Sequence, residues 1–113
     1  MTAREEVCVF TVIFLVKRNE SMTQEEFADY WINQHTPLTA KVPGMRSYIC
    51  YTTTGAPNGM AAYDGVALCT FDSEEDYQRG IASEEFKTAV ADGSNFQNTE
   101  LTTAIFADMH VIV

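Results

Sequence analysis

Apolar residues run almost unbroken from Val7 to Val16, with Thr11 the one hydroxyl among them. The run is rich in β-branched and aromatic residues and predicts a strand. Cys8, Phe10, Val12, Phe14 and Val16 fall on one face; Val9, Thr11, Ile13 and Leu15 fall on the other. A strand with one wet face would alternate, and this one does not, so both faces should be covered. The next segment, Met22 to Phe27, carries helix-start chemistry. Thr23 can cap, Glu26 can reach back to close a capping box, and Met22 and Phe27 stand where a hydrophobic staple needs them. The helix should run to about Gln34 or His35, because Thr36 precedes Pro37 and is pushed away from helical geometry. Phe27, Trp31 and His35, each a step of four apart, share a face, with Tyr30 bordering it.

Pro43-Gly44 signals a turn, and Met45 to Thr53 reads as a second strand with Arg46, Tyr48 and Cys50 on one face and Ser47, Ile49 and Tyr51 on the other. Gly55 to Gly59 is a loop, and Tyr63 to Phe71 is a third strand, with small Gly65 and Ala67 on one side. Ser73 and Ser83 each start a helix, the second reaching Asp92 with Gly93 at its end. Asn95 to Glu100 reads as polar connection, and Thr103 to Val113 as a last strand. The order β-α-β-β-α-β, its second helix broken in two, belongs to an α+β fold of the ferredoxin-like plan: a four-stranded antiparallel sheet with helices on one face. Without repeats or linkers, residues 1–113 should form a single domain with a single core. The sheet face away from the helices needs a cover, and a second copy of the same sheet is the simplest one, giving a dimeric α/β barrel.

Composition narrows the partners. With 7 basic and 16 acidic residues the formal charge is −9, a surface that repels phosphate backbones and anionic lipid. Nucleic acid and membrane are therefore excluded as expected partners. Cys8, Cys50 and Cys69 form no CxxC pair and no metal-ligand spacing, which reads as buried free thiols. The Val7–Val16 run is too short to span a bilayer, and Arg4, Glu5 and Glu6 interrupt any signal-peptide pattern, so a cytoplasmic location is expected. Gly55 and Gly59 do not open a helix, so there is no phosphate loop, and His35 and His110 are too far apart to suggest a metal site. No metal or cofactor is expected.

One stretch carries a recognisable signature. A strand ending Leu15-Val16-Lys17-Arg18 is followed by Met22-Thr23, Glu26-Phe27, Trp31, then His35-Thr-Pro37-Leu38, and then Pro43-Gly44 leading to Tyr48. This combination, over residues 13–48, resembles the EthD family of dimeric α/β-barrel proteins. The resemblance implies a homodimer joined through the sheet face. It also implies kinship with small enzymes that work on polyketides, lactones and other cyclic or aromatic compounds without metal or bound cofactor: isomerases, cyclases, dehydratases and cofactor-free monooxygenases. A fold shared by so many chemistries selects none of them.

His35 is the first catalytic candidate, since imidazole both accepts and donates protons near neutral pH. Its alternative is structural, capping the helix end before Pro37. Tyr48 matches the family pattern and can donate to a substrate carbonyl; Tyr51 points to the opposite face, so only one of the two can share a pocket with His35. Trp31 and Phe27 supply aromatic walls for a small hydrophobic or aromatic ligand. Asp108 and His110 share a face of the last strand, where a carboxylate could orient an imidazole or act as base; their alternative is a strand end in solvent or a polar pair at a dimer rim. The resulting expectation is a cofactor-independent enzyme acting by proton transfer on a small cyclic or aromatic compound, of dehydratase, isomerase or cyclase type. A non-catalytic small-molecule binder is the alternative, and haem handling is disfavoured by the acidic surface.

Overall fold

The computed structural model describes residues 9–113. Its elements are β1 (Phe10–Val16), α1 (Gln24–Tyr30), a π-helical turn (Trp31–His35), α2 (Thr36–Thr39), β2 (Met45–Thr52), β3 (Gly65–Phe71), α3 (Glu74–Ile81), α4 (Glu84–Gly93) and β4 (Thr103–Ala107). The sheet order is β2-β3-β1-β4 and every neighbouring pair is antiparallel. The expected α+β, ferredoxin-like plan is therefore the observed one. Val7 and Cys8, the start of the expected first strand, lie outside the described residues.

The centre of the sheet explains the two-sided apolar pattern of β1. Val12 and Val16 are buried toward the helices, with Phe14 between them, while Ile13 and Leu15 are half-buried on the opposite face. That opposite face continues through Leu68 of β3 and Ile105 of β4, which flank Ile13, and through Ile49 of β2. Among the described residues no helix packs there, and Ile49, Tyr51 and Ile105 stand exposed.

Helix starts follow the sequence. Thr23 accepts the Glu26 amide at 3.1 Å while Glu26 accepts the Thr23 amide at 2.8 Å, a complete capping box. Ser73 and Ser83 cap α3 and α4 through the amides of Asp76 and Phe86. Gly44, at φ +83°, makes the turn after Pro43. Gly93 has another role: its backbone is not left-handed, and a Cβ there would press on the Gln97 amide.

Three features differ from expectation beyond shifts of one or two residues at strand ends. Thr36 stays helical, at φ −57° and ψ −34°, despite preceding Pro37. The chain accommodates this by widening the turn before it: the Thr36 amide reaches back five residues to the Trp31 carbonyl. Pro37 has no N–H to offer, and the Ile32 carbonyl accepts instead from the Thr36 hydroxyl at 2.6 Å. Phe96, in the stretch read as polar connection, is 1% exposed and belongs to the core with Phe27, Trp31, Val16 and Ala67. Finally, β4 ends at Ala107, the last residue paired to β1 among the described residues, and Asp108 to Val113 has no regular structure. Asp108 and His110 interrupt the β pattern there.

Candidate functional site

The wide turn fixes the site. Phe27, Trp31 and His35 do share the inward face, but with different fates. Phe27 is fully buried and packs its ring on Trp31 and Phe96, with centroids at 5.5 and 5.8 Å. Trp31 (2% exposed) and His35 (8% exposed) reach the wall of a cavity of about 170 Å³ between helices and sheet. Gly65 makes room for the indole, since a Cβ there would collide with the Trp31 ring. The other walls are overwhelmingly apolar and include Phe14, Met45, Phe71, Tyr77, Phe86 and Phe96. His35, Thr39, Tyr48, Gln97 and Thr102 bring polar side chains to this lining.

Both nitrogens of His35 are engaged by side chains. Nδ1 lies 2.9 Å from Asp92 Oδ2, and Nε2 lies 3.0 Å from the hydroxyl of Thr39, one helical turn on. Asp92 comes from the last turn of α4. Its other oxygen accepts from the Tyr30 hydroxyl at 2.6 Å and from the Asn95 amide at 3.0 Å. Burial opposes ionisation of Asp92, but the hydrogen bonds from Tyr30, Asn95 and His35 outweigh it and hold the carboxyl below its ordinary value. An ionised Asp92 accepts only, so Nδ1 of His35 carries the proton toward it. In the neutral ring, Nε2 is then a lone pair that receives the Thr39 hydroxyl proton. Phe96 closes the arrangement, with its ring 4.5 Å from the imidazole centroid. The hydrogen bond to Asp92 holds the Tyr30 phenol above its usual range, with burial adding to it.

Tyr48 enters from β2 on the helix side. Burial pushes its phenol above the ordinary value, the Cys50 thiol raises it further, and the polar groups of Thr39 and Trp31 nearby offset part of this. It is thus a neutral donor at neutral pH. The thiols nearby are inert: burial raises Cys50, and it pushes Cys69 up to about 12.

The structure therefore brings together His35, Trp31 and Tyr48 of the residues singled out from sequence. It places Phe27 behind the wall in the core. Tyr51, 59% exposed, points from the opposite sheet face. Asp108 and His110 are exposed beyond β4; Asp108 borders a separate shallow depression with Phe10, Thr11, Phe106 and Ala107, and neither lines the cavity. A carboxylate does orient an imidazole, but it is Asp92 and not Asp108. Asp92, Thr39 and Phe96 were missed. Thr39 had a signal, falling four residues after His35; Asp92 and Phe96 are brought to His35 only by the packing of α4. Among the described residues no group of three or more His, Cys, Asp or Glu side chains is placed to hold a metal ion, and no helix is long and apolar enough to cross a membrane.

Comparison with known proteins agrees with this architecture. The family model described as EthD domain matches residues 19–100. A solved EthD-family protein from Bacillus halodurans, described as ethyl tert-butyl ether d, is 24% identical; the match covers 90% of this chain and 99% of that one, with a TM-score of 0.78. A dimeric ferredoxin-like protein of unknown function from Thermobifida fusca is 18% identical, covering 89% and 91%, at TM-score 0.68. A dabb family protein of ferredoxin-like fold from Mesorhizobium loti is 10% identical, covering 91% and 98%, at 0.69. No curated protein matches the chain.

Proposed function

Since the chain belongs to the EthD family, we propose that it is a cofactor-independent enzyme that moves a proton on a small cyclic or aromatic compound held in the cavity, in a dehydratase, isomerase or cyclase type of step. One observation carries the reading: a buried imidazole borders an apolar cavity while an ionised carboxylate holds its far nitrogen. That carboxylate fixes the tautomer and stabilises the imidazolium once the ring takes a proton. Tyr48 supplies a neutral donor for a carbonyl or enolate oxygen, and Trp31 supplies a flat wall. The competing role of a passive binder expects His35 tied to backbone and no second titratable group at the cavity. His35 has side-chain partners, and Tyr48 is present.

The same proposal includes a homodimer formed by burying the open sheet face around Ile13, Ile49, Leu68 and Ile105 against its copy. Structurally similar ferredoxin-like proteins described as dimeric support it. The free thiols of Cys50 and Cys69 support a cytoplasmic location.

The test is deuterium exchange, followed by NMR, at activated ring positions of cyclic ketones and phenols in the presence of the protein. Wild type should accelerate exchange for at least one ring class. His35→Gln should lose on the order of 100-fold or more, as removal of a general base does, with Tyr48→Phe intermediate. If His35→Gln exchanges as fast as wild type, the catalytic assignment fails and the binder reading replaces it.

A further inference from the structure

The cavity's polar end has a direction, and it runs through Thr39. With the ring neutral and Nδ1 protonated toward Asp92, the Nε2 lone pair of His35 accepts the Thr39 hydroxyl proton at 3.0 Å. This leaves the lone pairs of Thr39 Oγ free to accept from another donor. Thr39 itself lines the cavity, and so does Tyr48, whose phenol burial keeps neutral and which lies near Thr39. The site thus presents Thr39 as an acceptor and Tyr48 as a donor within a largely apolar chamber, whose other polar lining residues include Gln97 and Thr102. Among the described residues no lysine or arginine lines that chamber, and Asp92 stands just behind His35. A ligand carboxylate would enter without a cationic partner, which is costly in such surroundings.

We propose that Thr39 is a further catalytic residue, the hydroxyl that takes the proton from the ligand and passes its own to His35, and that the ligand is a neutral phenol or enol. In this step the ligand O–H bond breaks and its proton goes to Thr39 Oγ. The Thr39 Oγ–H proton moves to His35 Nε2. The products are a phenolate or enolate held by Tyr48 and an imidazolium paired with the Asp92 carboxylate. This rests on the reading of His35 as the proton acceptor.

A direct test uses para-nitrophenol, whose phenolate is coloured, below the pH range in which the free probe ionises. Trp31 is the sole tryptophan and lines the cavity, so its emission reports binding independently of proton transfer. Wild type should quench on binding and raise the phenolate absorption several-fold over the free probe. Thr39→Val should still quench but return the phenolate signal to the free-probe level; Thr39→Ser should restore it; His35→Gln should behave as Thr39→Val does. A phenolate signal in Thr39→Val equal to wild type overturns the role of Thr39 while leaving His35 as base. Binding to wild type without ionisation overturns both roles. Absence of quenching, or equal binding of para-nitrobenzoate, overturns the ligand class.

Discussion

Phe96→Ala is the sharpest test of how the site is held together. The ring is 1% exposed and lies against Phe27, Tyr30 and His35, with centroids at 5.8, 5.6 and 4.5 Å. An aromatic side chain of this kind buries on the order of 150 Å² or more, worth about 4 kcal/mol at about 25 cal/mol per Å². Alanine retains roughly 1 kcal/mol of that, and the space left between three rings adds a cavity penalty, so the expected loss is about 3–5 kcal/mol. A domain of this size has about 5–15 kcal/mol in total, so the variant should fold, with a much lower urea midpoint. Unfolding can be followed through Trp31, whose buried indole becomes wet on denaturation. Leu101→Ala, a few residues on but exposed, is the control and should cost less than about 1 kcal/mol. A loss for Phe96→Ala no greater than for Leu101→Ala would refute the claim that Phe96 belongs to the core and packs the site against His35.

Three further outcomes are expected. Gly65→Ala should lower stability by about 1–3 kcal/mol in the same assay, because the new methyl meets the Trp31 ring; a neutral result would mean the indole can move aside. Asp92 has its carboxyl held below the ordinary value in the folded state. Its contribution is therefore present above that ordinary value and is lost as pH falls through the depressed one, below about pH 4. Asp92→Asn should be less stable than wild type at neutral pH, with the difference shrinking in acid; a constant difference across pH would contradict the ionised assignment. Leu68→Lys, in the middle of the open sheet face, should convert the proposed dimer to monomer in sedimentation equilibrium with helicity unchanged, and a persistent dimer would place the interface elsewhere.

What local chemistry could determine, it did. Thr23 and Glu26, Ser73 and Ser83 start helices because a side-chain oxygen and an orphan amide lie within a few residues of each other, and Gly44 turns because only its own backbone has to comply. The apolar run of β1 gave a strand apolar on both faces, of which the helices of this chain cover one, and Phe27, Trp31 and His35 were placed on one inward face by helical spacing alone. The tertiary structure decided everything that depends on segments distant in sequence. Which inward residues reach the cavity, Trp31 and His35 but not Phe27, depends on how the helices seat on the sheet. That Thr36 stays helical depends on a widened turn that pattern does not encode. Nothing local named a partner for His35; several carboxylates were available along the chain, and only the packing of α4 chose Asp92 and carried Phe96 with it into the core.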